Sequence, residues 1–355
     1  MLSDLRTLAR VLTGDLAPKA ATESVVLSDR PHARLIRYGS VAQLDAARAS
    51  GQVPVLLVPP LAVPAHCYDL APDARPANSV VEFLLNLGTI PYVIDLGDVS
   101  YRDRHLGFED YIDLIVPRAI GDVVDDFRSA PDAVDLMGWS LGGTLSLLTA
   151  GAHRELPIRS VITVGTPLDY KQIQPYPLVR ALLGPTGGRP VTYLMRALGG
   201  IPAPAVRLVY RATAWDRELL KPKYILSNLH DVDALIRMQV IDRFQSSMPG
   251  YPGRVSEQMF VNLILRDEIS RGVLHFDSLT VDLASVTAPV FMVGSHHDAI
   301  VSHAAAKHGL DLFADSVHTE FHTVESSHLG LLTGAVAEQQ TWPAIAAFRE
   351  KIQGI

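Results

Sequence analysis

Gly138-Trp139-Ser140-Leu141-Gly142 matches G-x-S-x-G, the pattern that sets a serine on a sharp turn between a strand and a helix. An apolar run ends at Met137 just before it, and a helix-like run from Thr144 to Ala150 follows. That context suits such a turn, where flanking side chains would clash; Gly143 adds room for close helix packing. The bland reading is a glycine-rich turn with an incidental serine. A serine hydroxyl is a weak nucleophile at neutral pH, so the chemistry needs a base within hydrogen-bond reach and an acid to hold that base. Serine, acid, base is the chain order for this turn. Asp298, in Gly294-Ser295-His296-His297-Asp298, and His328, in Ser326-Ser327-His328-Leu329-Gly330, fit that order. Asp267 is held in reserve for the acid; a solvated loop acid and a surface histidine are the plain alternatives.

A tetrahedral intermediate also needs preorganised donors for its oxyanion, one of them the N–H after the nucleophile. Leu141 supplies that one. The second comes from the loop after an early strand, here Pro59-Pro60-Leu61-Ala62-Val63-Pro64. Prolines have no N–H, which restricts the donor to Leu61, Ala62 or Val63, with Ala62 favoured. His296, His297, Asp298, His303 and His308 have the right chemistry for metal ligation, but their spacing matches no zinc pattern. No metal site is expected. Cys67 beside His66 lies outside any such turn and reads as a small packed thiol.

These residues must be held by regular elements. Apolar runs at Val53 to Val58, Ile90 to Ile94, Ala133 to Met137, Ser160 to Val164, Val290 to Val293 and Glu320 to Val324 alternate with helical stretches. Alternation implies a mostly parallel sheet covered on both faces, with catalytic groups at the carboxyl ends of its strands. Ahead of it, Ser24 to Leu27 and Ala33 to Tyr38 flank Asp29-Arg30-Pro31 as a hairpin. Leu5, Leu8, Leu12 and Leu16 recur at near-helical spacing, which predicts an amphipathic helix docked on its own domain, with a partner subunit or a lipid surface as alternatives. Between Leu168 and Asp282 the strand rhythm is lost, and Gly184-Pro185, Gly199-Gly200 and Pro249 to Gly253 punctuate helical segments. The expected organisation is an extension over 1–50, a core over 51–167 and 283–355, and an inserted helical cap over 168–282.

With 355 residues, 48% of them hydrophobic, the chain can bury a large core. Its net charge of −7 gives no footprint for nucleic acid, which binds basic patches. One cysteine allows no internal disulfide, and charges at Asp4, Arg6 and Arg10 interrupt the first leucines, so a cytoplasmic protein without a secretory signal is expected. Val53 to Ala65, the longest apolar run, is too short and too rich in proline to span a bilayer.

From about Val53 to Gly334 the chain resembles the catalytic subunit of polyhydroxyalkanoate synthases, the class III type in particular, within the α/β-hydrolase superfamily. The likeness rests on Pro59-Pro60-Leu61, Asp69-Leu70, Asn78-Ser79-Val80-Val81, Phe108-Glu109-Asp110-Tyr111, Gly142-Gly143-Thr144, Thr166-Pro167-Leu168-Asp169, Val281-Asp282-Leu283, His297-Asp298 and Ser327-His328-Leu329-Gly330. The resemblance implies Asp298 and His328 as acid and base and Ala62 as oxyanion donor. It also implies a coenzyme A thioester as a possible substrate, and a partner subunit, homo-oligomer or lipid or polymer inclusion as possible associations. The family's nucleophile is a cysteine; here Ser140 holds that position, and Val63 and Pro64 replace its polar and basic residues after the oxyanion loop.

A thioester on cysteine stays as activated as on coenzyme A, whereas an ester on serine is less so; a thiol, with a pKa of about 8.5, also ionises far more readily than a hydroxyl. The residues therefore favour an α/β-hydrolase-fold serine enzyme that cleaves acyl or 3-hydroxyacyl esters or thioesters without a cofactor. Acyl transfer to a hydroxyl and a non-catalytic scaffold on the same fold are the alternatives.

Overall fold

The computed structural model describes residues 2–17, 21–72, 77–128, 132–212 and 215–354. Eight strands form one sheet: β1 (Ser24–Ser28), β2 (Arg34–Tyr38), β3 (Val55–Val58), β4 (Pro91–Asp95), β5 (Val134–Trp139), β6 (Ile158–Val164), β7 (Val290–Gly294) and β8 (Thr319–Thr323). Their order is β1-β2-β4-β3-β5-β6-β7-β8. The hairpin pair β1 and β2 is antiparallel, and β2 runs antiparallel to β4. Every other pairing is parallel. Each apolar run in the sequence thus became a strand, with ends shifted by a residue or two.

Alternation along the strands divides the core. Leu56, Val58, Val134 and Leu136 enter one cluster, while Val55, Leu57, Met137 and Trp139 enter the other on the opposite face. Both faces are covered by helices, so β3 and β5 are buried throughout. Helix Leu141–Ala152 packs so tightly behind β5 that every residue from Leu141 to Ala150 is buried. The chain passes from β3 to β4 on one side and returns to β5 on the other, which makes the carboxyl ends of β3 and β5 a topological switch point. The loop 59–64 and Ser140 emerge there.

At the opposite end of β5, Asp135 is fully buried and ionically satisfied. It accepts hydrogen bonds from Arg159 Nε, Arg349 Nε (both 2.8 Å) and Ser160 Oγ (2.7 Å). Arg349 also donates to Val53 O and Thr89 Oγ1, which locks helix Trp342–Lys351 against the sheet.

Between β6 and β7 the chain is mainly helical: Tyr176–Leu183, Arg189–Leu198, Ala203–Ala212, Trp215–Ser227, Val232–Ser246 and Gly253–Gln258, the last running on into a π-helical stretch, Met259–Leu265. Gly199 ends the second of these at φ +72°, the left-handed C-terminal position that favours glycine. The final part of this insertion returns to the core, where Val281 and Asp282 lie against Gly151.

The first helix, Leu2–Thr13, is anchored at its C-terminal end, where Val11 O accepts from Gln239 Nε2 (3.3 Å). Leu16 and Ala17 are buried, Ala17 N–H donates to Gln239 Oε1 (2.6 Å), and Arg243 donates to the carbonyls of Gly14 and Ala17. Leu12, by contrast, is 77% exposed, and the Leu5 side chain lies outside the described residues. Among the described residues no helix is long and apolar enough to cross a membrane.

Candidate active site

Ser140 caps β5 with φ 51° and ψ −124°, a conformation rare outside glycine that tertiary contacts must enforce. Its N–H donates to Val164 O (2.8 Å), and its carbonyl accepts from Gly143 N–H (3.0 Å) and Thr166 Oγ1 (3.0 Å). The turn is tight enough to demand its glycines. A Cβ on Gly138 would lie 2.3 Å from Gly143 N, and one on Gly142 would lie 2.0 Å from Val58 O. The second approach also fixes the nucleophile turn directly against the end of β3, where the oxyanion loop begins.

His328 and Asp298 arrive on loops after β8 and β7, and they meet. His328 Nδ1 is 2.7 Å from Asp298 Oδ2, with both side chains buried. The other carboxylate oxygen, Oδ1, accepts from the N–H groups of Ile300 and Val301, so Asp298 is held by its own loop. Ser295 Oγ accepts from His297 N–H and Ser326 N–H, tying the acid loop to the base loop. The imidazole rests beside Trp139, with ring centroids 5.1 Å apart, and Trp139 Nε1 donates to the His328 carbonyl (3.3 Å). On its other side a Cβ on Gly165 would stand 3.1 Å from His328 Cε1. Trp139, which precedes Ser140, and Gly165, which follows β6, therefore both lie against the ring.

His328 Nε2 is buried and, among the described residues, has no hydrogen-bond partner. Ser140 Oγ does not bond to it in this geometry, although such bonds are often long until a ligand is bound. An unpaired imidazole nitrogen is costly to bury, which makes Nε2 the ring atom able to take a proton from a hydroxyl brought to it.

For the oxyanion, Leu141 opens its helix and its N–H has no acceptor within it. In the facing loop the Val63 N–H donates to Pro60 O (3.0 Å), which removes Val63 from the three candidates. Among the described residues the N–H groups of Leu61 and Ala62 have no acceptor, and both residues are buried.

The remaining candidates disperse. Asp267, fully buried, accepts from Tyr170 N–H (2.9 Å) and Ser270 Oγ (2.7 Å) and pairs with Lys171, so its oxygens are committed within the insertion. His297 pairs with Glu325, His303 bonds Thr323 Oγ1 and stacks on His296, and His308 bonds Ser270 O. Cys67 is fully buried, and that burial pushes its thiol well above the ordinary range. One contributor carries no spacing signal: Tyr68, buried in the core, donates its hydroxyl to Val58 O (2.8 Å) and accepts from Trp139 N–H (3.0 Å).

No protein-family model matches the sequence. A poly(3-hydroxyalkanoate) polymerase subunit PhaC from Haloferax mediterranei is 25% identical over 315 residues, 88% of this chain and 61% of that protein. The subunit of the same name from Allochromatium vinosum is 25% identical over 311 residues, 85% of this chain and 81% of that protein. Among solved structures, one described under LipS and LipT, two metagenome-derived lipolytic enzymes, superposes with a TM-score of 0.50 at 14% identity, covering 84% of this chain and 94% of that one. The fold is that of an α/β hydrolase, and the sequence resembles the PhaC subunits. In this chain several segments of the PhaC likeness serve the framework. Asp69 accepts from Ser79 Oγ (2.6 Å) and Thr22 Oγ1 (2.9 Å), bracing the chain beyond the oxyanion loop. Glu109 takes Arg254 and Gln258 Nε2 (2.7 Å), fastening the insertion to the core.

Proposed function

We propose that the chain is a serine-dependent enzyme that acts on acyl or 3-hydroxyacyl esters or thioesters, with hydrolysis as its main outcome. The observation that carries this reading is the buried Asp298–His328 pair, at 2.7 Å, whose second imidazole nitrogen is unpartnered beside the strained Ser140 turn. Ser140 Oγ attacks the acyl carbonyl carbon while His328 Nε2 takes its proton, and Asp298 fixes the ring tautomer and stabilises the imidazolium. The N–H groups of Leu141 and Ala62 receive the oxyanion. Collapse breaks the bond to the leaving oxygen or sulfur, which takes the proton from His328 and leaves an acyl ester on Ser140. Water, deprotonated by His328, then attacks that ester; the carboxylic acid departs and Ser140 regains its proton. No resident metal or redox cofactor enters these steps.

Acyl transfer is the second reading, favoured by the polymerase name of the PhaC relatives. There a hydroxyl takes the place of water, and a 3-hydroxyacyl-coenzyme A is the donor. The experiment is labelling with a fluorophosphonate probe, followed by product analysis. Wild-type protein labels and Ser140→Ala does not, and short- to medium-chain acyl esters give free acid. Equal labelling of both proteins overturns the serine chemistry; oligomer with little free acid from 3-hydroxyacyl-coenzyme A replaces hydrolysis with transfer.

A further inference from the structure

A cleft of about 630 Å³ lies where the insertion meets the core, between helices Trp215–Ser227 and Val232–Ser246 and the loop that carries His328. Its walls are mainly apolar: Leu70, Leu220, Tyr224, Met238, Ile241 and Leu329. Two of these remain strongly exposed, Leu220 at 58% and Tyr224 at 42%. Apolar surface gathered in a concavity of this size is characteristic of small-molecule sites rather than of scattered surface residues.

The cleft shares two elements with the surroundings of the candidate catalytic residues. Ser327, Leu329 and Gly330, which flank His328 in the chain, form part of its wall. Helix Val232–Ser246 presents Met238 and Ile241 to the cleft, while Val240 and Phe244 pack into the core cluster that contains Trp139. Lys221 Nζ pairs with Asp242 Oδ2 at 2.7 Å, and Arg237 is a further charged residue of the lining. Asn78, Gln245 and Thr333 add neutral hydrogen-bonding groups without charge. Mainly apolar walls with a few polar groups among them complement a hydrocarbon chain bearing an ester or hydroxyl oxygen.

We propose that this cleft binds the hydrocarbon chain of an acyl ligand, one chain per protein, which deepens the acyl-ester reading given above and rests on it for the ligand's identity. Each methylene buried there strengthens binding about fourfold, the equivalent in affinity of burying one CH₂ group. Straight-chain carboxylates from hexanoate to decanoate should therefore bind with steadily rising affinity.

The test uses the full-length Ser140→Ala protein, so that binding is read without turnover, with dansyl-undecanoate as fluorescent probe and unlabelled decanoate as competitor. Saturable binding that decanoate displaces is expected. Met238→Trp, which fills the cleft from the helix side, should weaken it at least about tenfold, and Met238→Leu should restore it. Ala335→Phe fills the cleft from the loop side and serves if the first variant does not fold. Absence of saturable binding, an affinity indifferent to chain length, or filled variants that bind like the parent would each overturn the proposal. So would probe uptake seen only with phosphatidylcholine vesicles and insensitive to decanoate. If decanoate binds as described while the wild-type protein hydrolyses no ester, the catalytic reading fails and the acyl site stands.

Discussion

The Tyr68 hydroxyl accepts the Trp139 backbone N–H at 3.0 Å, one residue before Ser140, and donates to Val58 O at 2.8 Å, one residue before the oxyanion loop. A single buried phenol thus couples the strand end that carries the proposed nucleophile to the strand end that carries the proposed oxyanion donors. Tyr68→Phe leaves Trp139 N–H and Val58 O without this partner inside the core. The expected cost is about 1–3 kcal/mol in urea unfolding. A purely structural tyrosine would lower stability alone. A positioning residue also lowers kcat for ester hydrolysis, by about tenfold or more, because oxyanion geometry is sensitive to small displacements. An unchanged kcat in the folded variant would refute the positioning role.

Asp298→Asn tests the acid. The amide oxygen can still accept from Ile300 and Val301, so the loop is expected to stay folded, but an amide facing Nδ1 selects the wrong imidazole tautomer. A fall in kcat of about 10⁴-fold is expected, with fluorophosphonate labelling slowed in parallel. Asp267→Asn should do the reverse. Its carboxylate serves Tyr170, Ser270 and Lys171, so melting temperature drops while kcat of the folded protein changes by less than about threefold. A larger loss of rate in Asp267→Asn than in Asp298→Asn would reverse the assignment.

How far the sequence was legible follows from the range of the forces involved. Apolar runs declared the central strands because helices bury both faces of β3 and β5, and hydrophobic pattern reports burial directly. Strand β8, at the sheet edge, is only partly buried and carries Glu320 and His322, so its pattern is the least apolar of the parallel strands. The tight turn at Ser140 and the meeting of Asp298 with His328 were readable because turn glycines and chain order leave local marks. Tyr68 left none, and Thr166 was marked only as part of the family likeness, since each bonds to backbone atoms brought near by sheet pairing. The Val63 N–H could not be eliminated from residue types alone, because its acceptor is the Pro60 carbonyl of a folded turn. In the first segment leucine periodicity identified a helix, whose last turn and exit are gripped by Gln239 and Arg243.

Cys67 provides a control on the nucleophile. It is the one cysteine in the chain, fully enclosed, and its thiol is held in the protonated form by burial. Iodoacetamide at pH 8 should leave the native protein unmodified and alkylate one site after denaturation. Cys67→Ala should keep its fluorophosphonate labelling and lose only the packing of a small side chain. Rapid alkylation of the native protein, with loss of activity, would transfer the nucleophile to this thiol.

Acid stability should depend on Asp135. Burial opposes its ionisation, but the guanidinium groups of Arg349 and Arg159 prevail and hold its carboxyl below the usual carboxylate range. A depressed folded pKa means the unfolded chain takes up the proton first. The ion-pair contribution is therefore complete above the ordinary aspartate value, about 3.9, and is lost as pH falls below it toward the folded value. Asp135→Asn removes the charge and leaves Arg349, itself buried, facing an amide. The expected destabilisation at pH 7 is toward the lower end of about 3–5 kcal/mol, since Arg159 is 18% exposed and recovers part of its solvation. Urea midpoints at pH 7 and pH 3 check both parts: the wild-type protein should lose more stability between the two than the variant does. Parallel losses would show that Asp135 is not the carboxylate through which acid loosens the base of the sheet.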